Sequence, residues 1–340
     1  MLPKFKAILI SITEKCHVGC GHCGFIGAVR EREAEESELQ DWVRQACEYG
    51  IPNIIFTGGE PFERFECLEK AVAVAEQAGI PVAVFTSSFW ASTYDDAFRT
   101  LKRLPGLKHL YLSSDIFHQR KVPYQYVFNV IDAATRLLNI EITICITYTN
   151  DNERAQVRDR YAAYGERLRF HEDRVIPNPY FSKVVLSSQG TLRPPRPEEF
   201  RCGCEIGTPL INPNGHVFSC HVGKAAAHRD LRELPYYLGN LYEQSFAEIM
   251  KGAALRLDYQ FLRTFGAEGV ASLYVHDQNL TDKVDSQGFT TACDMCFSTL
   301  KTGAGRSVLE DYVKSPTVRD AIDIRLTLLK KEGPIGYHEL

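Results

Sequence analysis

The 340-residue sequence predicts an α/β protein, a partial (β/α)6 barrel followed by a small α+β segment rich in cysteine. Three observations predict it. Apolar, β-branched runs alternate with helical patterns from residue 7 to about 175. From the second strand on, these units recur about every thirty residues, as strand–helix repeats should. After residue 175 the alternation stops, and the composition turns first to proline and then to cysteine.

In chain order, AILISI, NIIFTGG, VAVFTSS, HLYLSS, ITICITY and LRFHEDRVI read as strands, being short, rich in β-branched and aromatic residues and bounded by turn formers. ESELQDWVRQACEYG, FECLEKAVAVAEQAG, YDDAFRTLKRL, YQYVFNVIDAATRLL and NERAQVRDRYAAYG read as the intervening helices. Several end in glycine, which adopts the left-handed conformation that stops a helix. Strands joined through helices build a parallel sheet with right-handed crossovers. Six units, unlike eight, leave such a barrel open, and its ligands sit at the C-terminal ends of the strands.

Beyond residue 175, IPNPYFSK and TLRPPRPEEF read as a linker. RCGCEIGTPLINPNGHVFSCHVG reads as a hairpin turning at N-P-N-G, and LGNLYEQSFAEIMKG as a helix. A long, less regular stretch leads to ACDMC at 292–296, and SVLEDYVKSPTVRDAIDIRLTLLKK reads as one or two surface helices. The domain expectation is 1–180 for the barrel, 181–305 for the cysteine segment and 306–340 for a helical extension.

A net charge of −4 with no basic stripe argues against a nucleic-acid partner. The apolar runs are too short for a membrane span or a signal peptide, so the expected compartment is the cytoplasm, with no membrane partner. Disulfides are rare there, and the eleven cysteines, an odd number, read chiefly as ligands.

Cys16, Cys20 and Cys23 follow the first strand directly. Soft thiolates at this spacing suit zinc or an iron–sulfur cluster. Zinc would need a fourth ligand, from His17 or His22; a four-iron cube held by three cysteines keeps one iron open. Gly19, Gly21 and Gly24 allow a tight backbone wrap.

The C-x3-C-x2-C loop, together with Thr57-Gly58-Gly59-Glu60-Pro61 at the end of the second strand, resembles the radical S-adenosylmethionine (SAM) superfamily over about residues 5–180. The resemblance implies a [4Fe–4S] cluster on Cys16, Cys20 and Cys23 whose open iron binds SAM. In that family an electron from the cluster cleaves SAM, and the resulting 5′-deoxyadenosyl radical abstracts a substrate hydrogen. The residue before the third cysteine lies by the adenine, here His22. Gly58 and Gly59 permit close approach, and Glu60 accepts hydrogen bonds from the SAM ammonium. Thr57, Thr86 and Ser88 in FTSS, where the family often has T-N-G, and Ser113 and Ser114 in LSSD are further implied contacts. The serines read equally well as capping hydroxyls. Asp115 and His118 are similar to the S-x-D…H region of peptide-modifying relatives and are the expected acid–base groups; a capped helix start with a surface histidine is the alternative.

Cys204-x10-Gly215-x4-Cys220 and Cys293-x2-Cys296 resemble the twitch domain, the shorter relative of the SPASM domain. That implies one auxiliary [4Fe–4S] cluster on Cys204, Cys220, Cys293 and Cys296, with Cys202 able to replace Cys204 and a four-thiolate zinc site as the alternative. Cys47, Cys67 and Cys145 read as packing residues. Most relatives with this layout mature ribosomally made peptides by crosslinking, epimerisation or excision, which makes a precursor peptide the expected substrate. The alternatives are a dehydrogenase or mutase acting on a small molecule such as an aminosugar, and a non-enzymatic zinc scaffold. A flavodoxin or ferredoxin is the expected electron donor. Because the cluster loop begins at residue 16, peptide recognition is expected from a separate protein or from the 72 residues between Cys220 and Cys293.

Overall fold

Every strand–helix unit expected from the alternation is present in the structure, a computed structural model that describes residues 5–23, 32–137, 140–175, 207–220, 233–284, 289 and 291–332. Strands β1 (Ile8–Ser11), β2 (Ile54–Thr57), β3 (Val82–Thr86), β4 (Leu107–Ser113), β5 (Glu141–Tyr148) and β6 (Arg169–Arg174) pair in parallel, each with the next. Helices α1 (Glu36–Glu48), α2 (Phe65–Gln77), α3 (Tyr94–Lys102), α4 (Tyr124–Leu137) and α5 (Asp151–Asp159) connect them. Local chemistry sets their ends: Thr93 and Asn150 accept N–H groups at the starts of α3 and α5. Gly50 and Gly79, at φ 87° and 71°, follow α1 and α2.

The sheet does not stop at the sixth unit. Strand β7 (Leu210–Ile211) lies parallel to β1, and β8 (His216–Phe218) and β9 (Tyr237–Asn240) extend it antiparallel, in the order β6-β5-β4-β3-β2-β1-β7-β8-β9. The hairpin expected at N-P-N-G is therefore joined to the barrel strands by backbone pairing. Its turn closes through Gly215, at φ 81°, whose N–H donates to the Asn212 carbonyl. The proline-rich linker and both Cys202 and Cys204 lie outside the described residues.

Alternation along each strand sorts residues to two faces. Ile8, Ile10, Phe56, Val84, Leu110 and Ile144 pack against helix residues such as Leu39, Val43, Leu68 and Val130. Leu9, Ile55, Tyr111, Leu210 and Phe218 face the other way, onto α7 (Leu257–His276) and α9 (Ala292–Leu300). Helices α6 (Phe246–Ala253), α8 (Leu280–Lys283), α10 (Gly303–Lys314) and α11 (Pro316–Glu332) complete the described elements.

The stretch before ACDMC, expected to be less regular, is largely helical. In α7, residues on nearly every side are buried, among them Tyr259, Leu262, Arg263, Val270 and Tyr274. A helix buried all round shows no apolar stripe, so the periodicity that betrays surface helices is missing. Gly266, at φ 53°, also interrupts it.

Truncation at the sheet–helix layer should be costly. Phe56→Ala, at a fully buried site, is expected to lower unfolding free energy by about 3–5 kcal/mol in urea titration. Ile324→Ala, at a site 63% exposed on α11, should stay within about 0.5 kcal/mol of wild type.

Candidate functional site

The loop carrying the three thiols is anchored before the first of them. Where β1 ends, its chain keeps pairing with the chain leaving β2. Ile12 N–H donates to the Thr57 carbonyl (2.9 Å), Gly59 N–H to Thr13 (2.6 Å) and Glu60 N–H to Lys15 (2.8 Å). This approach needs glycine. A Cβ on Gly58 would lie 2.5 Å from the Thr13 oxygen, and one on Gly59 would lie 2.2 Å from that of Lys15. Gly58 also holds φ 141°. Two side chains absent from the sequence reading complete the anchor. Glu33 accepts from the Thr13 hydroxyl and the Glu14 N–H, and Arg64 donates to the carbonyls of Ile12 and Ala34.

Glu60 is 1% exposed. One carboxylate oxygen accepts from the Thr86 hydroxyl (2.8 Å) and Phe62 N–H (3.3 Å), the other from the Ser87 N–H (2.8 Å) and hydroxyl (2.6 Å). Burial pushes its pKa up, with those donors working the other way. Ser87 is the partner that the sequence motif did not single out. Neighbouring Ser88 sits at φ 69° with a buried hydroxyl that has no hydrogen-bond partner. Thr86 also accepts from the Trp90 indole.

Cys16, Cys20 and Cys23 share one small buried cluster with Val18, Phe117, Val122 and Val175. Burial pushes the Cys16 thiol up to about 11 despite N–H donors from Gly19 and Val18, and Glu60 and Cys23 add to the rise. A bound cation is what would hold such a thiol as thiolate. His17 turns away: its ring bonds Glu63 at 2.6 Å and stays 45% exposed. His22 instead packs on Phe117, ring centroids 4.6 Å apart, and faces His118 at 5.3 Å.

Asp115 and His118 form a pair beside that loop. The Asp115 carboxylate accepts from His118 Nδ1 (2.9 Å) and from the backbone N–H groups of Phe117, His118 and Thr147. Burial works against the ionised pair, yet the opposite charges and hydrogen bonds hold Asp115 below its usual range. For His118, too, burial alone would lower the pKa; Asp115 and a hydrogen bond with Cys20 instead hold it well above its ordinary value. One ligand atom each of His22, Asp115 and His118 falls within 4.8 Å of the others. Ser113, half-buried, ends β4, and the next hydroxyl, Ser114, bonds Tyr161.

The second thiol set lies on the face of the sheet covered by α7 and α9. Cys220 follows β8, and Cys293 and Cys296 stand on α9; all three pack in the same apolar cluster as Phe85, Tyr111 and Cys145. Tyr236 reaches Cys296, its hydroxyl 2.9 Å from Sγ. Cys47 on α1 and Cys67 on α2 pack, partly buried, against the core of the opposite face.

Both thiol groups suit iron–sulfur chemistry on the donors present. The first offers three soft sulfurs, N–H groups aimed at one of them and an imidazole bonded to another. The second offers three described sulfurs and a phenol on one of them.

Residues 10–160 match the family model described as the Radical SAM superfamily, and residues 202–271 match an iron–sulfur cluster-binding domain. The GTP 3′,8-cyclase of Campylobacter fetus subsp. fetus is 24% identical over 178 residues, 48% of this chain and 54% of that protein. The chain thus spans about half the length of that relative. Streptococcus suis SuiB bound to precursor peptide SuiA superposes with TM-score 0.59 at 14% identity, covering 87% of this chain and 76% of SuiB. Native anSMEcpe with bound AdoMet and Cp18Cys peptide superposes with TM-score 0.52 at 13% identity, covering 93% and 98%. The fold is thus that of radical SAM proteins, and their domain pair implies SAM and iron–sulfur clusters.

Gly59→Ala, which forces the Lys15 carbonyl aside, is expected to cost about 1–3 kcal/mol in urea unfolding and to lower iron retained after anaerobic reconstitution. Gly252→Ala, where an added methyl meets nothing, should be neutral or stabilising by up to about 1 kcal/mol and leave iron content unchanged.

Proposed function

From the match of residues 10–160 to the radical SAM superfamily and of residues 202–271 to an iron–sulfur cluster-binding domain, we propose that this chain is a radical SAM enzyme that matures a ribosomally made peptide by abstracting a hydrogen from it. The observation that carries the reading is the convergence of Cys16, Cys23 and Glu60 where β1 and β2 end, with a second thiol set on one face of the same sheet. The two neighbours whose structures contain peptides support peptide over small molecule. The cyclase relative favours the runner-up, a small-molecule reaction.

Cys16, Cys20 and Cys23 would hold the first cluster, which when bound would supply the electron that cleaves SAM. Glu60 is oriented for the SAM ammonium by Thr86 and Ser87, which hold both its oxygens from one side. His22 lines the adenine side on Phe117. Thr57, Ser88 and Ser113, at the ends of β2, β3 and β4, stand where SAM contacts would fall; Ser88 offers its unpartnered hydroxyl. Ser114, bonded to Tyr161, instead fixes the end of β4. Asp115 holds the His118 imidazole by Nδ1, so a proton moved there stays beside the cluster loop and the substrate side of the sheet. Apolar Phe85, Tyr111 and the α7 side chains exclude water around the second thiol group. Cys220, Cys293 and Cys296, with Cys204 or Cys202, hold the auxiliary cluster within a 181–305 segment. A flavodoxin or ferredoxin supplies electrons, and a separate recognition protein presents the peptide.

Anaerobic reconstitution should load about eight irons per chain, four per cube, with matching sulfide. The triple variant Cys16→Ala/Cys20→Ala/Cys23→Ala should keep about four and lose SAM cleavage. A cognate precursor peptide incubated with SAM and reductant should change in mass. Zinc without sulfide ends the radical reading; SAM cleavage driven by a nucleotide or aminosugar, with every peptide inert, replaces peptide by small molecule.

A further inference from the structure

The second thiol group carries hydroxyls that a packing role leaves unexplained. Tyr236 is 2% exposed and Cys296 8%. The Tyr236 hydroxyl lies 2.9 Å from Cys296 Sγ and 3.0 Å from the Cys296 carbonyl. In the metal-free protein the phenol donates to that carbonyl, and its oxygen can accept from the Cys296 thiol. A metal-bound thiolate has no proton, so once Cys296 is a ligand the phenol alone can donate.

Tyr236 is also placed by the strand that brings the other ligand in. Its carbonyl accepts the N–H of Ser219 (2.8 Å), the residue before Cys220. One residue thus bridges the hairpin ligand and the helix ligand, backbone to one and hydroxyl to the other. Tyr259 on α7 adds a second donor. Its hydroxyl is fully buried, has no hydrogen-bond partner among the described residues, and belongs to a side chain packed in the same apolar cluster as Cys220. An orphaned buried hydroxyl is costly unless something not yet present accepts from it. Tyr274, the third tyrosine here, is already engaged. Thr299 donates its own hydrogen to Met295, so the Tyr274 hydroxyl must donate to Thr299.

We propose that Tyr236 donates a hydrogen bond to the Cys296 sulfur ligand of the auxiliary cluster, that Tyr259 donates a second on the Cys220 side, and that together they raise the cluster's reduction potential. The proposal rests on the reading that this thiol group holds a cluster. Donation draws electron density from sulfur and favours the reduced state, which suits a centre that accepts the electron a substrate radical gives up as it is oxidised. Tyr236 and Tyr259 are positioning residues, acting through ligands and not on substrate.

The test uses the full chain with Cys16, Cys20 and Cys23 replaced by Ala, so that the auxiliary cluster titrates alone. In a redox titration followed by electron paramagnetic resonance, Tyr236→Phe should lower the reduced-to-oxidised ratio at fixed potential about tenfold, a 59 mV negative shift for one electron. Tyr259→Phe should shift it the same way by a smaller factor. Without either substitution, electron–nuclear double resonance in deuterated buffer should show an exchangeable proton coupled to the cluster, lost on Tyr236→Phe. An unmoved potential in Tyr236→Phe, or no such proton, overturns the proposal; Tyr259→Phe without effect removes the second donor. If Tyr236→Phe does not load iron, the exchangeable-proton measurement decides alone. Absence of iron in the three-alanine parent instead overturns the cluster reading itself.

Discussion

The backbone pairing of residues 12–15 with residues 57–60 is the constraint on which the rest of the site depends. Three N–H to carbonyl bonds carry the parallel register of β1 and β2 past the end of the strands. The glycines at 58 and 59 leave no room for a side chain between the two segments. Cys16 therefore starts its loop directly after the Lys15 carbonyl that accepts the Glu60 N–H. Glu33 and Arg64 close the same joint from outside, so the stem is held by backbone and by charge together.

Burial is handled differently at the two polar centres near that joint. Glu60 is enclosed by neutral donors from Thr86, Ser87 and Phe62, which orient the carboxylate without supplying a counter-charge. Asp115 is enclosed by a cation, His118, as well as by N–H groups, and stays ionised. A buried carboxylate with only neutral donors retains attraction for a cationic ligand group; one already paired does not. Under the proposed function, that difference assigns Glu60 to recognition and the Asp115–His118 pair to placing a proton.

The second layer of the molecule is what makes the sheet more than a frame. Helices α7 and α9 cover the face that an isolated open barrel would expose to water, and the hairpin β7–β8 joins that layer to β1 by hydrogen bonds. In one continuous sheet Cys16 follows β1 and Cys220 follows β8, while Cys293 and Cys296 stand on α9 in the apolar cluster that includes Phe85, Tyr111 and Cys145.

By itself the sequence determined the six strand–helix units, because period-two and period-3.6 patterns report directly on which face of each element meets the core. It also determined that three thiols gather in one loop after the first strand, because three sulfurs in eight residues are brought together by covalent proximity. Tertiary structure alone decided what depends on contacts distant along the chain. Glu33, Arg64 and Ser87 lie 20, 52 and 27 residues from the groups they hold, and no local pattern marks them. Helix α7 was hidden for a related reason: burial on every side erases the stripe that would have shown its period. The continuation of the sheet into β7, and the Tyr236 hydroxyl on Cys296 sixty residues away, likewise rest on long-range packing, whose free energy is set by the folded arrangement and not by adjacent residues.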